Sequence, residues 1–157
     1  MLRLSFLWVD KTREPWLRTG IEDYLARIQR YLPVQVREVR SARTTTKTDP
    51  REILQREGAS LLRALPRQAF RIALDERGRM LDSTGLAAFL AGLEDRGIRE
   101  VAVIVGGPWG LSPAILEEAD ERLSLSRLTF THDLARLMLV EQIYRACTIR
   151  AGEPYHH

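Results

Sequence analysis

Residues Val101-Ala-Val-Ile-Val105 run directly into Gly106-Gly-Pro-Trp-Gly110 and then Leu111-Ser-Pro113. A short apolar run bounded by glycines has the pattern of a fully buried strand. Ser112 followed by Pro113 reads as an N-cap and first helical residue. Between strand and helix, three glycines in five positions let the backbone turn sharply and approach a ligand with no Cβ in the way. In an α/β protein such a turn lies where strand carboxyl ends border a ligand crevice. A tight connecting turn with no ligand is the simpler alternative. The stretch is not GxGxxG and lacks the Lys-Ser/Thr of a P-loop, which disfavours a dinucleotide or a nucleoside triphosphate.

Outward from this stretch, strand and helix patterns alternate along the whole chain. Residues 2–8 read as a first strand. Pro15 to Tyr31 carries Leu17, Ile21, Tyr24, Leu25 and Ile28 at helical spacing, and Pro33 ends it. Val34, Val36 and Val39 mark a second strand, followed by a polar, basic loop from Arg40 to Thr48. Asp49-Pro50 opens a helix with Ile53, Leu54, Leu61, Leu62 and Leu65 inward. Ala69 to Leu74 reads as a third strand ended by a turn at Asp75-Glu-Arg-Gly78, with a positive φ expected at Gly78. A helix from about Ser83 places Leu86, Phe89, Leu90 and Leu93 inward, and Gly97 caps its end. Pro113 to about Arg122 reads as the next helix, Leu125 to Thr131 as a fifth strand or extended loop, and Asp133 to about Cys147 as the last helix. The expected fold class is therefore α/β: a single domain, residues 1–157, built on a mostly parallel sheet flanked by helices.

Composition narrows the function classes. At 157 residues with 45% hydrophobic and 29% charged content, the chain matches a globular domain with a real core. No apolar run approaches the ~20 residues of a membrane span, and the first residues lack a signal peptide's cleavage site. The single cysteine, Cys147, excludes an internal disulfide and fits a reducing cytoplasm. Three histidines, two of them adjacent at 156–157, make a metal site improbable. The net charge of +3 is unevenly placed. Residues 1–56 hold 12 Lys/Arg against 7 Asp/Glu, and residues 57–157 hold 12 against 14. A basic first third fits a polyanionic partner such as RNA. Nearly every cation is Arg, a bias that genomic base composition explains equally well.

The last helix carries an apolar stripe of Leu134, Leu137, Met138, Tyr144 and Cys147, with Glu141 inside it by its i+3 and i+4 spacing. A carboxylate there needs a partner, and Arg145 stands at i+4. The pair reads either as a structural ion pair or as part of an interface with another subunit. His132 precedes the helix and is a candidate proton acceptor or a cap. The last residues, Ala151-Gly-Glu-Pro-Tyr-His-His157, have the composition of a disordered end, yet Tyr155 and His156 suit stacking on a base.

Five motifs together resemble a known family. They are Leu74-Asp-Glu-Arg-Gly78, Ile104-Val-Gly-Gly-Pro-Trp-Gly-Leu-Ser-Pro113, Leu123-Ser-Leu-Ser-Arg-Leu-Thr-Phe-Thr-His132, Leu139-Val-Glu-Gln-Ile-Tyr-Arg-Ala146 and Pro154-Tyr-His156. In order and spacing they resemble the small SPOUT-class RNA methyltransferases named ribosomal RNA large subunit methyltransferase H. The resemblance implies a C-terminal trefoil knot within about residues 101–150, an exception to the unknotted rule. It also implies a homodimer and S-adenosylmethionine held by Leu74, Gly106 and the run Leu125, Ser126, Arg127, Leu128, Thr129 and Phe130. The implied reaction is methylation of N3 of a pseudouridine in the helix 69 loop of 23S rRNA on the assembled ribosome, with no metal. Candidates for positioning the target or accepting its proton are His132, Arg145, Tyr155 and His156. A ribosome- or RNA-binding protein with this fold but no catalysis is the alternative. The Ser41–Thr48 loop departs from the family in carrying threonines where relatives have more Lys and Gly.

Overall fold

The computed structural model describes all residues, 1–157. Its elements in chain order are β1 (Arg3–Val9), α1 (Pro15–Ile28), β2 (Val34–Val39), α2 (Pro50–Ala64), β3 (Phe70–Met80), α3 (Ser83–Asp95), β4 (Glu100–Val105), α4 (Pro113–Glu118), β5 (Glu121–Ser124) and α5 (His132–Ala151). The strands form one parallel sheet in the order β2-β1-β4-β3-β5. All five therefore end on the same edge.

Alternation along the strands sorts their side chains between two cores. Leu4, Phe6 and Trp8 of β1 lie with Val101, Val103 and Val105 of β4 on the face covered by α1, α3 and α5. Leu7, Val9, Ala102 and Ile104 face the opposite way, against Leu61, Leu65 and Ile115 on the α2 and α4 side. Because β1 and β4 are covered on both faces, they read as continuous apolar runs. Fully burying such a side chain contributes about 1.5–3 kcal/mol, so these central strands are a major part of both cores.

Three local expectations are corrected, and of the two forms expected for residues 125–131 the extended loop is the one formed. The third strand does not turn at Asp75–Gly78; β3 passes through this segment to Met80 with a register shift, so Leu74 and Arg79 both stand opposite Leu123. Gly78 has no positive φ. Its missing Cβ is required because one would stand 2.7 Å from the Arg122 backbone. The fifth strand is β5, and α4 stops at Glu118 instead of about Arg122, leaving Leu125–Thr131 as the extended loop.

The stripe read on α5 is not its buried face. Asp133, Arg136, Leu139, Val140, Ile143, Ala146, Cys147 and Thr148 are inward, whereas Leu134, Leu137, Met138, Glu141 and Tyr144 are half-buried. Nor is the chain's end disordered. Gly152 at φ 71° closes α5, and Glu153 accepts a hydrogen bond from the Tyr31 hydroxyl.

Candidate functional site

The carboxyl edge of the sheet gathers three backbone segments around β3. Ala73 pairs with Ile104 of β4, and Leu74 pairs with Leu123 of β5. The chain leaving β4 is the glycine loop 106–110, and the chain leaving β5 is the loop 125–131. Both loops therefore flank Leu74.

The glycine loop is held by its own backbone. Gly107 and Gly110 form a bridge, the Gly110 amide donates to the Gly107 carbonyl at 3.0 Å, and Gly110 has φ 82°. A Cβ on Gly106 would overlap the Gly110 carbonyl. The glycine expected to face a ligand is thus required first by the loop itself. Ser112 then caps α4, accepting from the Ile115 amide at 3.3 Å, and Trp109 stands 56% exposed at the loop tip.

The second loop is tied to the β3 irregularity through Glu76. The Thr129 hydroxyl donates to the Glu76 carboxylate at 2.9 Å, and the Arg127 guanidinium donates to the Glu76 carbonyl. Ser126 supports the loop from within, its hydroxyl accepting from the Leu128 amide at 3.0 Å and its carbonyl from the Ser124 hydroxyl at 2.9 Å. No backbone-to-backbone hydrogen bond satisfies residues 125–130. Free backbone amides and carbonyls beside the half-buried Leu74, Leu125 and Phe130 are the donor set that a neutral purine nucleoside needs. The residues present therefore fit an adenosine-bearing methyl donor.

Beneath the β1 end lies a buried ionic network that the sequence reading missed. Arg136 is fully buried. It donates to the Val9 carbonyl at 2.6 Å, the Asp10 carbonyl at 3.0 Å and the Thr12 hydroxyl at 3.2 Å. Its charge faces Asp133 at 3.4 Å, and Asp133 in turn accepts from the Arg13 amide at 3.0 Å. His132, the first residue of α5, lies 3.3 Å from Asp133. Burial pushes its pKa down, and the Asp133 charge only partly opposes this. The cap is Thr131, which accepts from the Leu134 amide at 3.3 Å. A visible signal for Arg136 was its i+3, i+4 and i+7 relation to the apolar Leu139, Val140 and Ile143.

Arg145, Tyr155 and His156 do come together, but elsewhere. Glu141 Oε1 accepts from Arg145 at 2.6 and 3.1 Å and from the Tyr155 hydroxyl at 3.0 Å. Arg145 also donates to His156 Nδ1 at 3.1 Å. Because arginine has no acceptor, this contact places the proton of a neutral His156 on Nε2. Burial, with hydrogen bonds to Tyr24 and Glu141, pushes the Tyr155 pKa up and keeps its phenol neutral. Arg145 also lies over the Tyr155 ring, 4.7 Å from its centroid. From His132 to Arg145 a helix rises about 20 Å. Arg150 pairs with Glu94 at 3.2 Å, and Glu94 accepts from the Leu2 amide at 3.0 Å, so α5 ends beside the strands' amino edge. Within one chain, then, Leu74, Gly106, residues 125–130 and His132 share the carboxyl edge, while Arg145, Tyr155 and His156 do not.

The basic loop belongs to the first group. The Ser41 amide donates to Asp10 Oδ1 at 3.0 Å, and Arg56 of α2 donates to the Arg43 carbonyl at 3.2 Å. Arg40 and Lys47 are carried with it at the carboxyl edge, on the β2 side of the sheet.

A parallel sheet with a glycine loop and a free-backbone loop at its carboxyl edge defines an α/β protein of the kind seen in solved methyltransferase structures. A probable methyltransferase from Bordetella pertussis Tohama I superposes with a TM-score of 0.55, at 16% identity, over 93% of this chain and 96% of its own. A probable methylase family protein from Haemophilus influenzae Rd KW20 gives 0.54 at 11% identity, over 99% of this chain and 70% of its own. The model of the family described as predicted SPOUT methyltransferase matches residues 2–156, and the chain belongs to that family. Two relatives, from Geotalea uraniireducens and Geotalea daltonii, are each 45% identical over 99% of this chain and 100% of their own length. Both are named ribosomal RNA large subunit methyltransferase H.

Proposed function

We propose that this protein transfers a methyl group from S-adenosylmethionine to large-subunit rRNA, at N3 of a pseudouridine in the helix 69 loop of 23S rRNA on the assembled ribosome, in the cytoplasm. The observation that carries the proposal is the convergence of Leu74, the glycine loop and residues 125–130 on one crevice. Family membership and the names of full-length relatives at 45% identity support the reaction class. The SPOUT family also supports a trefoil threading of about residues 101–150.

The bound donor supplies an activated methyl group, so the protein must align the target and relieve it of its N3 proton. Alignment is the larger contribution, and a general base adds ~10²–10⁴-fold. The basic loop 40–48, at the same edge on the β2 side of the sheet, supplies phosphate contacts. His132, kept neutral by burial, stands as an acceptor at the same edge. Arg145 supplies a fixed positive charge for an oxygen that gains charge as the proton leaves.

The separation of about 20 Å along α5 argues for a homodimer, in which the Arg145–Tyr155–His156 cluster of one protomer serves the cofactor loops of the other. Tritiated methyl transfer to ribosomes, followed by mass mapping of the rRNA, tests the proposal. Label at one pseudouridine of the helix 69 loop is the expected result. Label elsewhere overturns the target, and ribosome binding without label makes the chain a non-catalytic RNA-binding protein.

A further inference from the structure

One carboxylate at the carboxyl edge has no partner. Glu57, inside α2, is 8% exposed, and neither a hydrogen bond nor a cation of the protein stabilises its charge. Its pKa is pushed up by burial first and then by Asp10, a like charge at the end of β1. The adjacent cation, Arg56, is engaged with Glu52 and the Arg43 carbonyl.

The position of Glu57 is set by close packing. At Gly58 a Cβ would overlap the Ser112 hydroxyl, so α2 is pressed against the segment following the glycine loop. Glu57 Oε1 consequently lies 3.5 Å from the point a Gly107 Cβ would occupy. At Gly107, the point of the loop nearest the carboxylate, there is no side chain to cover it. With no hydrogen bond or counter-charge from the chain, this largely buried carboxylate keeps acceptor positions that a cationic N–H donor from solution can fill.

We propose that Glu57 accepts the ammonium group of the methyl donor's amino-acid portion, a subsite that rests on the S-adenosylmethionine reading above. Adenine and ribose are neutral, so only the amino-acid end carries positive charge. Of its two cationic centres, the sulfonium has no N–H to donate, whereas the ammonium has three. Only the ammonium satisfies both the charge and the empty acceptor positions of Glu57.

Calorimetry on wild type and Glu57→Gln tests this with three probes: S-adenosylmethionine, S-adenosylhomocysteine and 5′-methylthioadenosine. The first two share the ammonium, only the first has the sulfonium, and the third lacks the amino-acid portion. The expected result is a loss of about tenfold or more for the first two alike, the scale of one charged hydrogen bond. Binding of 5′-methylthioadenosine stays unchanged, which also shows that the variant is folded. Unchanged affinity for all three overturns the subsite. A loss confined to S-adenosylmethionine reassigns Glu57 to the sulfonium, and an equal loss for all three reduces it to a support for the loop. If wild type binds none of them, the donor reading itself fails, and the subsite with it.

Discussion

Arg136 of α5 lies over the indole of Trp8 of β1, its guanidinium carbon 4.8 Å from the ring centroid, with Arg136 fully buried and Trp8 1% exposed. The contact joins the first turns of the last helix to the end of the first strand. The cation is held by carbonyls of Val9 and Asp10, the latter at a positive φ of 62°, so the bend after β1 and the start of α5 are mutually dependent.

Arg136→Met should therefore be among the most damaging single changes. It leaves the Asp133 charge buried without its main counter-charge, a situation that costs about 3–5 kcal/mol. Denaturant unfolding with tryptophan fluorescence measures it. A change within about 0.5 kcal/mol of wild type would show that the network is dispensable.

His132 makes stability depend on pH in a defined direction. Burial lowers its folded-state pKa below the ordinary 6.5, so on acidification the unfolded chain takes up the proton first. Stability from this group is complete above the unfolded value, falls as pH drops below it, and levels off below the folded pKa. Melting temperatures between about pH 5 and 8 should fall less steeply for His132→Asn than for wild type. Parallel curves would show that the imidazole titrates in the fold as it does in the unfolded chain.

Glu76 ties the 125–130 loop to β3 through Thr129, an exposed contact in which little core is at stake. Glu76→Ala should lower S-adenosylmethionine affinity by about five- to tenfold while changing stability by less than about 1 kcal/mol. Equal affinity with an unchanged melting curve would mean that this tie does not order the loop.

Gly106→Val and Tyr155→Phe probe the two halves of the proposed composite site. Valine at 106 would overlap the Gly110 carbonyl, open the loop and abolish donor binding while leaving helix content intact. Tyr155→Phe removes one of the hydrogen bonds on Glu141 and should lower turnover without changing donor affinity. If protomers share a site, mixing and re-annealing the two impaired variants adds intact composite sites worth up to about a quarter of wild-type activity, by the statistics of random pairing in a two-fold dimer. No recovery, with mixed dimers confirmed by mass, would place the whole reaction within one chain.

Several of these relationships were readable from local pattern and others were not. The Val101–Val105 run and its glycine loop were legible because a doubly covered strand needs no alternation and a tight turn needs glycine. The β3 segment 75–78 was misread as a turn because Asp-Glu-Arg-Gly has turn composition, whereas pairing with β5 decides its conformation. The α5 face was misread because Arg136 and Asp133 neutralise each other inside, a pairing that a hydropathy pattern counts as surface. The end of the chain looked disordered because its anchors, Tyr31 and Glu141, lie outside it.

Local spacing and capping determined the order of elements, the parallel α/β class, the glycine loop and the motifs that mark the family, since each depends on neighbours within a few residues. Tertiary structure alone decided what the crevice contains and what it lacks. Glu76 reaches Thr129, Glu57 reaches Gly107, and Arg145 stands far along α5 from the loop that opens it. Those relations join distant parts of the chain, and only the packing of the sheet and its helices sets them.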